Sequence, residues 1–186
     1  MIEKFSVDHL SELVAYACRK NASRESGSAF CCQTEASIQR DFSETLDFGF
    51  ACREGDRLCG LLSCFPDLEK GNVDCALLAD RENYSATARQ LLSAAQAQLG
   101  NHLRYTFFFP KENEACAAFL ESIGACRREN EYRMVLRRDD WQPQEGLPAP
   151  HPLEEAAYAA FVALHDRVFP DVYVSGRDIL EDLGKS

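Results

Sequence analysis

The hydrophobic period of this chain switches from helical to alternating and back again within its first hundred residues, and that order leaves few folds open. Leu10, Leu13, Val14 and Ala17 recur at i, i+3, i+4 and i+7, one face of a helix, with Asp8 placed as its N-cap. A polar, Ser-rich connection over 21–28 leads to a weaker helix over 35–46, where Ile38, Phe42 and Leu46 share a face. From Phe48 the period drops to two through Phe50 and Cys52, Glu54-Gly55-Asp56 supplies turn chemistry, and 58–65 is a nearly continuous apolar run. This reads as a β-hairpin whose second strand is buried.

A turn over 66–71 and a third strand over 73–78 follow. The alanine-rich stretch 85–99 then sets Ala88, Leu91, Leu92, Ala95 and Leu99 on one stripe, and Gly100-Asn101 stops it. An aromatic strand over 103–109, ended by Pro110, is expected to lie in the interior of the sheet. Helical spacing returns over 113–124 through Cys116, Phe119, Leu120 and Ile123, with Gly124 as the C-terminal cap. A last strand is expected at Tyr132, Met134 and Leu136. The order α, α, β, β, β, α, β, α, β implies a mixed α/β sheet with helices on both faces.

Residues 139–152 hold four of the seven prolines and no hydrophobic period, which marks an extended linker and a domain boundary. Two amphipathic segments lie beyond it, one through Tyr158, Phe161, Val162, His165, Val168 and Phe169, the other over 175–183. Two helices cannot bury their apolar faces alone. Either they pack back on the first domain, or the chain is the front portion of a longer protein.

Charge narrows the function classes. Thirty acidic residues against twenty basic give a formal net charge of −10, a field that repels phosphate backbones and anionic lipid surfaces. Nucleic acid and membrane are therefore not expected as partners, whereas a cationic small amine is compatible with the sign. No apolar run has the length of a signal peptide or a membrane span, so a cytoplasmic protein is expected. The nine cysteines are odd in number, scattered and without a C-x-x-C pair; most read as small core hydrophobes. Cys31 and Cys32 stand in a polar stretch with no histidine at zinc-ligand spacing, and no metal site is expected. His9, His102, His151 and His165 read as solvated surface positions.

Over roughly residues 2–138 the order of elements, with two local segments, resembles the general N-acetyltransferase (GNAT) superfamily. The resemblance implies a mixed, mostly antiparallel central sheet flanked by helices, and acetyl-CoA as the cofactor of the parent protein. In that family the turn after the fourth strand carries R/Q-x-x-G-x-G/A, whose backbone N–H groups hold the cofactor's pyrophosphate at a helix N-terminus. The run ENYSATARQLL puts Asn83 at the R/Q position and Ala86 and Ala88 where small glycines are expected. Ala86 adds a methyl group where a phosphate should approach, and Arg81 or Arg89 would have to supply the missing charge.

The second segment, NEACAAFLESIGA, is similar to the family's N-E-x-A-x-x-L-Y-E-K-x-G-F, with Asn113, Glu114, Phe119, Glu121 and Gly124 in register. Leu120 stands where many members place a tyrosine that protonates the leaving thiolate, and leucine has no proton to give. Ala125 replaces the usual aromatic residue. By the same resemblance a carboxylate on the fourth strand would accept a proton from the attacking ammonium. Asp74 is the nearest candidate there, a role to be weighed against that of a solvated strand-end acid; Asn113 is the second candidate. Cys75 has no base near it in sequence, and burial is its simpler reading.

The tail over 161–183 resembles the first helices of a second GNAT unit as found in tandem-GNAT proteins. Three functions follow. Residues 1–138 could be a degenerate scaffold beside a second GNAT domain in cis that acetylates a small amine. They could instead be an acetyltransferase that works without the tyrosine, or a non-enzymatic ligand-sensing or interaction module. Both departures fall on positions that touch the cofactor or leaving group while helix ends and core spacing are kept, which favours the first.

Overall fold

The apolar run at 58–65 is continuous because both faces of its strand are covered by helices, the condition under which alternation disappears from a strand. The computed structural model describes residues 1–30, 33–127, 146, 151–170 and 174–183. The strand expected at 132–136, most of the Pro-rich linker, and Cys31 and Cys32 lie outside the described residues. The chain divides into two compact units, Met1–Glu129 and Asn130–Ser186.

In the first unit, β1 (Ile2–Lys4), β2 (Gly49–Glu54), β3 (Arg57–Asp67), β4 (Asn72–Ala79) and β5 (Arg104–Phe107) form one sheet in that order. The first three pairings are antiparallel and β4–β5 is parallel. The two faces are read from neighbouring leucines. Leu61 and Leu78 pack under α1 (Leu10–Asn21) and α2 (Glu35–Glu44). Leu62 and Leu77 pack under α3 (Tyr84–Leu99) and α4 (Glu114–Ser122). Each such side chain, at most 2% exposed, contributes roughly 1.5–3 kcal/mol of apolar burial. Gly124, at φ +74°, ends α4 as expected: its N–H donates to Glu121 O and that of Ala125 to Leu120 O, a paired C-terminal cap that satisfies two open carbonyls.

Local chemistry shifted several expected boundaries. β1 was not anticipated, because three residues carry no readable period. Asp8 is not a helix cap; the Ser6 hydroxyl accepts from Asp8 N and caps a 3-10 turn over Val7–His9. A second 3-10 turn, Leu46–Phe48, takes up the end of the expected helix and the first residue of the expected strand. The aromatic strand is shorter than expected, Arg104–Phe107, and stands last in the order of the described strands.

The second unit contains α5 (Tyr158–Val168) and α6 (Gly176–Leu183). Ser175 Oγ accepts from Asp178 N and Asp178 Oδ2 from Ser175 N, a reciprocal cap of the helix start. Asp166 on α5 accepts from Gly176 N at 2.8 Å. A Cβ on Gly176 would stand 2.9 Å from Val162 Cα, so glycine sets how closely the helices approach. His165 is not a solvated residue: its ring lies between Phe161 and Phe169, with centroids 5.9 and 5.4 Å away. No helix among the described residues is long and apolar enough to cross a membrane.

Two contacts hold the first unit's layers in register. At the β-bulge after Cys52, Arg53 is 8% exposed; its guanidinium pairs with Glu3 on β1 and Glu12 on α1 and donates to Asp56 O. That hydrogen bond to Arg53 holds the Glu12 carboxyl below its ordinary value. Glu3 and Glu12 keep 31% and 44% of their side-chain surface exposed, so water screens the pairs. Arg53→Met is therefore expected to cost about 1–2 kcal/mol in urea unfolding rather than the ~3–5 kcal/mol of a fully buried pair. The clamp contributes fully above the ordinary carboxylate range and fades as acid protonates Glu12, so wild type and Arg53→Met should converge below about pH 4. The second contact is Gly60 on β3, where a Cβ would meet Thr87 Cγ2 of α3 at 2.5 Å and Leu78 O at 3.1 Å. Gly60→Ala should lift α3 off the sheet and lower stability by about 1–3 kcal/mol, read as a shifted urea midpoint at unchanged slope.

Candidate functional site

β4 and β5 pair only from Asn72–Arg104 to Cys75–Phe107, while β4 runs on to Ala79. The expected site residues lie along β4, in the turn that follows it, and on α3 and at the start of α4.

The chain leaves β4 through extended Asp80 and a 3-10 turn, Arg81–Asn83, and α3 begins at Tyr84. The presumptive phosphate residues thus lie largely within a regular helix. Asn83 is exposed and makes no side-chain cap hydrogen bond, and Ala86 is exposed on the first turn. Ala88 is fully buried in the core. Arg89 turns away from the helix start toward α4, over the Phe119 ring at 6.0 Å and 3.5 Å from Ser122 Oγ. No glycine occurs between Gly71 and Gly100, so every residue of this turn carries a Cβ beside its backbone N–H.

Arg81 is 3.9 Å from Glu25. A groove of about 330 Å³ beside it is lined by Glu25, Arg81, Glu112, Glu114 and Ala115, three carboxylates against one guanidinium. Glu112 also pairs with Arg24 at 3.0 Å, which holds its carboxyl below the ordinary value. At the end of β4, Asp80 accepts from Tyr16 Oη at 3.1 Å and pairs with Lys20 at 2.7 Å and Arg57 at 3.3 Å. Burial first, then Asp80, holds the Tyr16 phenol above its ordinary value.

Asp74 lies on the α1/α2 side of the sheet, about 17 Å along β4 from Ala79 at roughly 3.3 Å per residue. It accepts from Asn72 Nδ2 at 2.8 Å, and Asn72 Oδ1 accepts in turn from Arg104 and Thr106. The structure therefore does not bring Asp74 together with the start of α3. Asn113 is fully buried and spent on structure: Nδ2 donates to Gly27 O at 2.8 Å and Oδ1 accepts from Cys116 N at 3.1 Å, capping α4. Leu120 belongs to the same apolar cluster as Phe119. Cys75 is buried beside Cys64, whose thiol, with burial, pushes that of Cys75 well up; a thiol so placed is a poor nucleophile.

Sequence reasoning passed over Tyr84. It stands four residues before Ala88 on the stripe that continues through Leu91, Leu92 and Ala95, and it is 5% exposed. Extending that stripe back one turn would have found it. The Cys116 thiol and the Asn113 amide at the start of α4 both act on its hydroxyl, which makes no hydrogen bond of good geometry among the described residues. Burial pushes its phenol up, and pushes the Cys116 thiol up to about 11.

No protein-family model and no curated protein matches the sequence. Solved structures match its shape. A predicted acetyltransferase from Clostridium acetobutylicum, solved with acetyl-CoA, is 10% identical with a TM-score of 0.50, over 77% of this chain and 99% of that one. A GNAT-family acetyltransferase from Streptococcus pneumoniae is 16% identical, over 67% and 82%, with a TM-score of 0.49. Another from Colwellia psychrerythraea is 14% identical with a TM-score of 0.49; the match covers 67% of this chain and spans only 45% of that protein's length. Identities this low bear on architecture alone. With a five-stranded, mostly antiparallel sheet and helices on both faces, the chain shares the fold of the acetyltransferase from Clostridium acetobutylicum.

Proposed function

We propose that the first unit is a non-catalytic GNAT scaffold within an acetyl-CoA-dependent N-acetyltransferase of the tandem type, whose chemistry resides on a second GNAT unit in cis. The observation that carries this is the start of α3. A pyrophosphate needs backbone N–H groups it can approach and a positive surround. Here Ala86 sits on a formed helical turn, Ala88 is core, and Glu25, Glu112 and Glu114 line the adjoining groove. The residues present do not fit the cofactor's phosphates. Leu120, without a proton to transfer, and Asn113, with both side-chain groups engaged, add to the same side. The acidic groove has the sign to favour a cationic amine over a phosphate, consistent with a small amine as the acetyl acceptor of the whole protein. The helices of the second unit, with α6 capped by Ser175 and Asp178, are compatible with the opening of another GNAT unit.

Isothermal titration of this chain with acetyl-CoA tests the reading. Binding weaker than about 1 mM is expected; a micromolar dissociation constant would overturn it. Asn113→Ala should act on folding alone, removing a cap and leaving Gly27 O unpaired, for a loss of about 2–3 kcal/mol. That loss would be measured by denaturant unfolding.

A further inference from the structure

We infer that the Tyr84 side chain occupies the wedge that an acyl-thioester arm would need, so that this unit is closed to acyl carriers by its own residue, independently of its lost phosphate contacts. The inference rests on the scaffold reading above.

Three observations meet at Tyr84. The β4–β5 ladder ends at Cys75 and Phe107, leaving the last four residues of β4 without β5 alongside. Tyr84, the first residue of α3, is buried in the apolar layer that also holds Ala79 of β4 and Cys116, Phe119 and Leu120 of α4. Its hydroxyl reaches the start of α4, where Asn113 and Cys116 flank it. The GNAT resemblance places the phosphate end of a cofactor at the start of α3 and its sulfur near Leu120, and an arm joining these points would cross the space the ring fills. Asn113 commits one N–H to Gly27 O and its carbonyl to Cys116 N, which leaves only its second N–H to face the hydroxyl.

A buried hydroxyl without a well-formed hydrogen bond is costly. What keeps a tyrosine there is the volume and apolar surface of its ring, which closes the space between β4, α3 and α4 much as a bound ligand would. Truncating a large buried side chain leaves a cavity that accepts ligands of matching shape.

The test compares the full chain with Tyr84→Ala and Tyr84→Leu, using acetyl-pantetheine, which lacks the nucleotide and its pyrophosphate, and acetyl-CoA as titrants. Wild type is expected to bind neither. Both variants should bind acetyl-pantetheine at least about tenfold more tightly than wild type, with amide shifts confined to the starts of α3 and α4. Should Tyr84→Ala fail to fold, Tyr84→Leu keeps apolar packing near the backbone and carries the same expectation. Folded variants that gain no affinity would overturn the plug and leave the scaffold reading standing, whereas binding of acetyl-CoA by wild type would sink the scaffold reading itself. Tyr84→Phe provides the remaining check. It should bind neither titrant and melt no lower than wild type; a melting temperature several degrees lower would show that the hydroxyl is bonded and refute its assignment as an unpartnered group.

Discussion

The parting of β4 from β5 after Cys75 and Phe107 is the constraint on which the rest of the candidate site depends. Where two strands stay paired, backbone hydrogen bonds set their spacing. Where they separate, side chains must fill or bridge the opening. Here Tyr84 enters from α3 and Asn113 anchors α4 back to Gly27. One contributes buried ring surface and the other ties the start of α4 to the Gly27 carbonyl.

Electrostatics lead to the same place by another route. The first turn of any helix carries open N–H groups and an anion-favouring dipole, so α3 keeps the generic half of a phosphate site. The arginine nearest that turn, Arg81, faces Glu25, and Arg89 leans over Phe119. Glu114 occupies the first turn of α4, where a side-chain carboxylate answers the helix dipole that a bound anion would otherwise have met.

The fold was largely legible because its signals are periodic. Both helix stripes facing α1–α2 and α3–α4, the hairpin around Gly55, the two-sided burial of β3 and the Gly124 cap all follow from spacing and turn chemistry. What escaped was either too short to have a period, as at Ile2–Lys4, or set by local hydrogen bonding, as at Ser6. For the site, alanine and leucine substitutions were visible in sequence, since they are identities at aligned positions. Their meaning was not. That Ala88 is core, that Arg89 turns toward α4, and that Asn113 is consumed by Gly27 and Cys116 depend on direction in space, which one sequence leaves open. His165, read as a solvated ring, was misjudged for the same reason.

The buried cysteines have a practical consequence. Cys52, Cys59, Cys64, Cys75 and Cys116 all lie in the layer between the sheet and the α3–α4 pair, while Cys126 is exposed. Alkylating reagents act on thiolates they can reach, so pulse modification followed by peptide mass mapping would time the opening of that layer against surface labelling, with no probe introduced. The molecule carries its own reporters of how one half of its interior comes apart.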